Sequence, residues 1–218
     1  VDRVETAGEE NIPPDGPLIV AANHPGAYDS LVITSRIPRD DIKIIASDIP
    51  FVKKLPITSR HMIFTTLDPK DRMGAAREAI RHLTDGGSLL LFARATMDPD
   101  PAFMPGAEEE LKYWSSSLGL FLRNVPHARV TISMISSVLA QKFLDHPSTM
   151  FRNGRVNKQR LSEFFQVMHQ LMSPGKLLVS PQLSFAPALT LNDLGGGRDI
   201  HQITMNIIQK AKDQFRYH

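Results

Sequence analysis

The chain has 218 residues, 42% of them hydrophobic, which is enough to bury one sizeable core. We therefore expect a single domain over residues 1–218. The formal net charge is +2, from 25 Lys and Arg against 23 Asp and Glu, so the charge balance does not call for a nucleic-acid partner. The absence of cysteine excludes disulfides, thiolate metal sites and a cysteine nucleophile.

Membrane and targeting signals are weak. No segment approaches the roughly 18 to 20 consecutive apolar residues that a membrane-spanning helix needs, and residues 1–10 do not resemble a signal peptide. The sequence predicts a cytoplasmic protein, or one bound peripherally to the inner face of the membrane. Because the first residue is Val1 rather than methionine, we expect an upstream piece to be missing.

Short apolar runs alternate with amphipathic stretches along the chain. Strand-length runs rich in aliphatic residues lie at 17–22, 42–47, 62–67, 88–93, 129–135 and 176–185. Helical patterns lie at 26–36, 70–84, 105–118, 157–173 and 199–215. This alternation predicts an α/β domain whose sheet is covered by helices on both faces.

A histidine and an aspartate stand five positions apart in "AANHPGAYDSL", residues 21–31. The preceding apolar run predicts a buried strand, and Pro25 suits the first turn of a following helix. His24 would then lie beyond the carboxyl end of a strand, where open α/β sheets bind ligands. Asp29, about one turn into the helix, would hydrogen-bond the imidazole and leave its other nitrogen to take a proton from a substrate hydroxyl.

The same residues also suit an ordinary strand-to-helix turn. In that interpretation Asn23 caps the helix, His24 is a satisfied turn residue, and Asp29 complements the helix dipole. A five-residue spacing from histidine to aspartate arises somewhere in such a chain by chance with a probability of roughly 0.4. The spacing alone therefore leaves both interpretations open.

Several segments, taken in order, resemble the glycerolipid acyltransferases, the family of lysophosphatidic acid and glycerol-3-phosphate acyltransferases. "NHPGAYD" resembles the N-H-x-x-x-x-D block of that family. Similar segments follow as "ASDIPFVKKLP", "HMIFTTLDPKDRMGAAREAIRHLTDGGSLLLF", "FARATMDPDPAFMPGAEEEL", "VTISMISSV" and "LSFAPAL". The resemblance covers about residues 1–190. It implies a glycerol-3-phosphate acyltransferase-like fold, a single domain with a mixed, mostly parallel sheet flanked by helices.

The resemblance implies an O-acyltransferase that moves a fatty acyl group from acyl-CoA or acyl carrier protein to a hydroxyl acceptor, such as a glycerolipid, a lysophospholipid or an alcohol. His24 would be the general base and Asp29 its orienter. Asn23, Pro25 and Gly26 would contribute to substrate binding, and backbone N–H groups near the last two would help hold developing negative charge. We expect no further cofactor, no metal ion and no nucleic acid. A lipid substrate also implies peripheral contact with a membrane.

The resemblance breaks down where the family binds the phosphate of its acceptor. The second block usually ends in arginine, where this chain has Leu67. The third block usually reads F-P-E-G-T-R, where this chain has "FARATM", residues 92–97. Losing the glycine can block close approach to the backbone, and losing two arginines removes bidentate phosphate recognition. The predicted acceptor pocket is formed by Phe92, Arg94, Ala95 and Thr96.

Several alternatives stay open. Either Arg94 reaches the phosphate from a shifted position, or the acceptor lacks the glycerol-phosphate group. Arg94 itself is explained as well by an ordinary solvent-facing residue after a buried strand. The chain is then either an acyltransferase with an atypical acceptor or a catalytically weakened homologue that binds lipids or acyl chains. An unrelated α/β hydrolase is disfavoured, because the sequence contains no G-x-S-x-G turn.

Three other segments carry expectations. "FFQVMHQLM", residues 164–172, has helical spacing and is expected to pack in the core, with some positions lining an acyl-chain tunnel. "DIPFVKKLP", residues 48–56, fits either a short core-facing helix with solvated lysines or a segment that docks onto an anionic lipid surface. In residues 99–114, Tyr113 and Trp114 are expected to anchor the core, and the acidic run 108–110 to form a solvated face.

Overall fold

The apolar runs form one seven-stranded sheet in the computed structural model, which describes residues 3–48, 50–66, 68–175 and 179–218. The strands are β1 (Glu5–Ala7), β2 (Leu18–Ala22), β3 (Ile42–Ser47), β4 (Met62–Thr65), β5 (Ser88–Phe92), β6 (Arg129–Ser136) and β7 (Gln182–Phe185). Their order is β1-β7-β6-β2-β5-β3-β4, and neighbours are parallel except for β6 and β7. The predicted fold, with its mixed and mostly parallel sheet, is confirmed.

The connections between the strands are largely helical. The helices are α1 (Asp29–Thr34), α2 (Pro50–Lys53), α3 (Pro56–Arg60), α4 (Pro69–Thr84), α5 (Ala107–Glu110), α6 (Ser117–Asn124), α7 (Gln141–Leu144), α8 (Pro147–Met150), α9 (Arg155–Met172) and α10 (Ile200–Tyr217). Within the described ranges, no helix is both long enough and apolar enough to cross a membrane.

Helices cover the central strands on both faces. Ile19 and Ala21 of β2 pack into a cluster with residues of α4, α6 and α10, while Leu18 and Val20 pack into a second cluster with α1. Successive side chains of a strand point to opposite faces, so a strand buried on both faces needs a continuous apolar run. This explains why β2 contains only aliphatic residues, and why all five are buried.

Some predicted element boundaries are wrong. The predicted helix 105–118 is interrupted between α5 and α6, because the N–H of Ser115 donates to Ala93 O at 2.7 Å instead of continuing the helix. The predicted strand 176–185 is reduced to β7, and residues 176–178 lie outside the described ranges. The predicted strand 62–67 ends at Thr65, and Leu67 also lies outside the described ranges.

The orientation of α9 is opposite to the expected one. Its buried residues are polar: Gln159, Ser162, Glu163 and Gln166. Its exposed residues include Phe164, Val167, Met168, Leu171 and Met172. The expectation that residues 164–172 pack in the core is therefore wrong, because polar side chains of this helix bond to buried backbone on the side that faces the protein.

The aromatic pair at 113–114 divides between core and surface. Trp114 is buried, as expected, and belongs to the larger core cluster. Tyr113 is 58% exposed, so its predicted core position is wrong. Its ring lies under two cations, with the guanidinium carbon of Arg94 at 5.6 Å and Nζ of Lys112 at 4.9 Å from the ring centroid.

Candidate active site

A cleft with a volume of about 320 Å³ opens at the carboxyl edge of the sheet. Ser47, Thr65 and Phe92, the last residues of β3, β4 and β5, line it together with His24, which follows β2. Much of the remaining lining is apolar and includes Ile44, Val52, Met62, Leu91 and Met97. The cleft lies where open α/β sheets bind their ligands.

His24 and Asp29 lie within hydrogen-bond reach of each other at this cleft. The imidazole Nδ1 is 3.1 Å from Asp29 Oδ2, and the aspartate side chain is 0% exposed. An ionised carboxylate only accepts hydrogen bonds, so Nδ1 carries the proton and Nε2 is left as the basic nitrogen. The ring also stacks on Phe92, with a centroid separation of 4.2 Å and an interplanar angle of 23°. The imidazole is thus fixed at its edge and on its face.

The electrostatics of Asp29 are set mainly by its burial. Loss of solvent raises the pKa of Asp29 from its ordinary 3.8 to about 6, and the hydrogen bond with His24 opposes this rise. Its second oxygen, Oδ1, is buried with no hydrogen-bond partner among the described residues. Above pH 6 the carboxylate is ionised, so it stabilises a positive charge that develops on the imidazole.

Carboxylates bind the backbone of the loop between β2 and α1. The N–H of His24 donates to Asp98 Oδ2 at 2.9 Å, that of Gly26 donates to Asp29 Oδ2 at 2.7 Å, and that of Ala27 donates to Glu163 Oε1. The helix therefore begins at Asp29, three residues later than predicted. The expectation that N–H groups near Pro25 and Gly26 hold negative charge from the substrate is not supported. Proline has no N–H group, and the N–H groups of Gly26 and Ala27 already donate to Asp29 and Glu163.

Gly26 allows two of these carboxylates to approach the loop closely. A Cβ added at this position would lie 3.3 Å from Asp29 Oδ1, 3.3 Å from Glu163 Oε1 and 3.2 Å from a methyl group of Val138. These distances are shorter than ordinary van der Waals contacts, so a side chain would force the surroundings to shift. Glycine at position 26 is thus explained by packing around the His24–Asp29 loop.

Asn23 connects the end of β2 to β6. Its Nδ2 donates to Ile135 O at 2.9 Å, and its Oδ1 accepts from Ile135 N at 2.9 Å. The interpretation in which Asn23 caps the helix is wrong, because the residue before α1 is Tyr28. The buried Asn23 amide extends the pairing of the two strands by one residue and so holds the backbone that leads into His24 in place.

Arg94 belongs to a network of ion pairs. Its Nη2 lies 2.7 Å from Glu110 Oε2, and its Nη1 lies 3.6 Å from Asp98 Oδ1. Glu110 also pairs with Arg155 at 3.7 Å. The Arg94 side chain is only 17% exposed, so its interpretation as a solvent-facing residue is wrong, as is the expectation of a solvated face at Glu110. Asp98 joins this network to the backbone of His24.

Ala95 adopts the backbone conformation that favours glycine. Its φ is 62°, and its N–H donates to Phe92 O at 3.1 Å, closing a turn after β5. A non-glycine residue in this left-handed region costs of order 1 kcal/mol, so the chain keeps the turn despite the unfavourable residue. Ala95 and Thr96 line the cleft, while Met97, at the place of the third-block arginine, is buried and offers no cation.

The acyltransferase family model matches residues 3–109, which contain the His24–Asp29 loop and the segment 92–97. The matched part of the chain belongs to the acyltransferase family. This confirms the family recognised from the order of the sequence blocks. The cleft described above is therefore the candidate active site of an acyltransferase.

A solved structure shares the fold of this acyltransferase. The crystal structure of the 1-acyl-sn-glycerophosphate (LPA) acyltransferase PlsC from Thermotoga maritima matches with a TM-score of 0.56 and 16% sequence identity. The match covers 100% of this chain and 74% of the PlsC chain. No curated protein sequence matches the chain significantly.

Sequence reasoning missed four polar residues that the fold brings to the site. Asp98, Gln159 and Glu163 bind the backbone of the His24–Asp29 loop, and Arg160 lines the cleft itself. Three of the four lie on α9, outside the matched residues 3–109. One signal was present, because Glu163 is the single acidic residue of α9. A single carboxylate in a helix whose other residues are basic, uncharged polar or apolar indicates a specific partner.

Proposed function

We propose that this acyltransferase moves a fatty acyl group from a thioester, acyl-CoA or acyl carrier protein, to a hydroxyl group of a glycerolipid or lysophospholipid. The observation that carries the proposal is the His24–Asp29 hydrogen bond at the edge of an apolar cleft. A general base must lie where a substrate hydroxyl can reach it, and a long acyl chain needs apolar walls.

In the proposed reaction His24 acts as the general base. Its Nε2 takes the proton from the acceptor hydroxyl while the oxygen attacks the thioester carbonyl carbon, giving a tetrahedral intermediate. Collapse of that intermediate breaks the C–S bond, and the proton passes from the imidazolium to the departing thiolate. Asp29 stabilises the imidazolium and keeps Nδ1 protonated. The acyl group passes directly to the acceptor, so no covalent enzyme intermediate is needed.

A transfer assay tests this function. Purified protein is given a long-chain acyl-CoA or acyl carrier protein labelled in the acyl group, together with lysophosphatidic acid, other lysolipids, glycerol-3-phosphate or a long-chain alcohol. We expect the label to appear as an ester in at least one acceptor. If the donor binds but no acceptor is acylated, the catalytic proposal fails and a lipid-binding homologue is the better account.

Arg160 is the cation best placed to bind an anionic acceptor. It lines the cleft, whereas Arg94 and Arg155 are paired with Glu110. No ion pair of Arg160 is found among the described residues. A guanidinium bound to phosphate supplies charge-assisted hydrogen bonds, so we propose that Arg160 takes over from the arginines that the sequence blocks lack.

The expected result of Arg160→Gln is a KM about 10–100-fold higher for a phosphate-bearing acceptor, with little change in kcat, because a charge-assisted hydrogen bond contributes about 1.5–3 kcal/mol. Steady-state kinetics with lysophosphatidic acid and a long-chain alcohol measure the effect. The matched control is Lys158→Gln, which removes an exposed charge from the same helix. An equal loss with the uncharged alcohol would contradict the proposed role.

Peripheral contact with a membrane follows from this function, because a glycerolipid acceptor resides in a bilayer. Of the two interpretations of residues 48–56, the core-facing helix is the less supported, since Leu55 is exposed and the helix that follows the segment, α3, buries no residue; Ile49 lies outside the described residues. Val52, in the same segment, lines the cleft. These observations support a lipid-facing position for the segment.

A further inference from the structure

We propose that the outer face of α9 is a docking surface for an anionic lipid bilayer, and that docking presents the adjacent cleft to the membrane. The outer face is defined here as Arg160, Phe164, Val167, Leu171 and Met172. The proposal deepens the proposed function and rests on it for the nature of the substrate that enters the cleft.

The outer face of α9 is a continuous exposed stripe. Arg160, Phe164, Val167 and Leu171 follow the spacing i, i+4, i+7 and i+11, which places them on one side of a helix. Phe164 is 57% exposed, Leu171 is 70% exposed and Met172 is 77% exposed. An amphipathic helix on a globular protein ordinarily turns its apolar stripe towards the core, and α9 does the reverse.

Hydrogen bonds on the inner face prevent α9 from rotating to bury this stripe. Gln159 Nε2 donates to Asp98 O at 2.7 Å. Gln166 Nε2 donates to Val138 O at 2.9 Å, and its Oε1 accepts from Ala140 N at 2.7 Å. Glu163 accepts from the loop that carries His24. Rotation would leave these buried polar groups without partners, so the apolar stripe stays outside.

The charges beside the outer face favour an anionic lipid surface as its occupant. Arg160 is exposed on the outer face, Lys158 is exposed elsewhere on the same helix, and the one acidic residue of the helix, Glu163, is buried. Phe151 and Arg152, both exposed, lie just before the helix. Basic residues flanking exposed aromatic and aliphatic side chains are typical of helices that lie in the plane of a membrane interface.

The position of the cleft supports the same occupant. Arg160 belongs both to the outer face of α9 and to the cleft lining, so a bilayer that contacts the helix also meets the opening. Val52 of α2 lines the same cleft, and the neighbouring α3 exposes Ile57. Exposed apolar side chains therefore occur on α9, which contributes Arg160 to the lining, and on α3, which follows the lining residue Val52 in the chain. A lipid acceptor could then enter without crossing water.

The test compares vesicle binding of the wild type with that of the double variant Phe164→Glu/Leu171→Glu. Vesicles of phosphatidylcholine are used with and without phosphatidylglycerol, and bound protein is measured by co-sedimentation. We expect the wild type to bind the anionic vesicles, high salt to weaken binding, and the double variant to bind at least about tenfold less, because two apolar groups are replaced by carboxylates.

The matched control is Met205→Glu, at an exposed apolar position on α10, a helix of the same length. It should bind vesicles as the wild type does, and thermal melts should show all three proteins folded. The proposal is overturned if the double variant binds like the wild type or if the wild type does not bind. It is also overturned if the wild type is a dimer in sedimentation equilibrium that the double variant dissociates, since the stripe would then be a protein interface.

An acyl-transfer assay with a water-soluble acceptor and no vesicles separates the two proposals. If the double variant loses vesicle binding and keeps transfer to the soluble acceptor, both stand. If the wild type binds vesicles through α9 but transfers to no acceptor, the docking surface stands and the proposed function fails. If transfer occurs but vesicle binding is unaffected by the variant, only the docking surface fails.

Discussion

Replacing His24 with alanine is expected to lower kcat/KM for acyl transfer by about 10²–10⁴-fold, the usual contribution of a positioned general base. The imidazole is the one titratable ring among the described lining residues of the cleft, and its Nε2 is not committed to Asp29. Without it, the acceptor hydroxyl must lose its proton to water. The donor should still bind, because the apolar walls of the cleft are unchanged.

Steady-state transfer rates and a donor-binding measurement on the same preparation check this expectation. His127→Ala serves as the matched control, since His127 is an exposed histidine after α6 and should be fully active. Added imidazole should restore part of the rate of the His24 variant, because a small base can occupy the vacated space. Equal rates for wild type and His24→Ala would contradict the base assignment.

The central strands of the sheet could be predicted because the pattern that identifies each of them lies within its own few residues. Parallel strands buried on both faces need continuous apolar runs, and residues 17–22 and 88–93 show such runs directly. β1 carries no comparable signal. Residues Glu5–Ala7 read ETA with an exposed and half-buried pattern, and they form a strand only because residues Gln182–Phe185 offer a pairing edge. That edge is supplied by tertiary structure, which the sequence of β1 does not encode.

The orientation of α9 illustrates a different limit. Helical spacing shows that Phe164, Val167 and Leu171 share a face, but it does not show whether that face points towards the core. The direction is set by hydrogen bonds from Gln159 and Glu163 to a loop more than 130 positions away. Such partners satisfy buried backbone groups, each of which would cost about 1–3 kcal/mol if left unpaired, and this cost opposes the gain from burying the apolar side chains.

The part of the candidate site that lies on one loop could be predicted, and the part contributed by distant segments could not. His24 and Asp29 lie five residues apart, so one loop can bring them together, and the order of the family blocks marked that loop. Asp98 reaches the same loop across 74 positions and Glu163 across 136 or more, through contacts that exist only once the sheet and α9 have assembled. The ion pair of Arg94 with Glu110 was not predicted, because it too forms only when the fold brings separate segments together.

Asp29→Asn is expected to lower acyl transfer by about 10²–10⁴-fold while leaving the protein folded. Gly26 N–H and His24 Nδ1 both bond to Oδ2 of Asp29, so the carbonyl oxygen of an asparagine at that place accepts from both and keeps the ring proton on Nδ1. The imidazolium that forms when the ring takes the proton of the acceptor then has no carboxylate bonded to its Nδ1, and this loss of charge stabilisation lowers the rate. The matched control is Asp15→Asn, which alters an exposed carboxylate.

Asp29→Asn is expected to lower activity but to raise stability relative to the wild type, by an amount that depends on pH. The pKa of Asp29 is raised from 3.8 to about 6 by burial, so between these values the folded protein binds a proton that the unfolded chain has released. The stability of the wild type therefore falls as the pH rises from about 4 to about 6, by up to roughly 3 kcal/mol from this group. Asparagine does not ionise, so the difference in Tm between Asp29→Asn and wild type should grow in favour of the variant across this range and then level off. Thermal melts from pH 4 to pH 7 measure that difference, and a value that does not change with pH would show that the buried carboxylate carries no such ionisation cost.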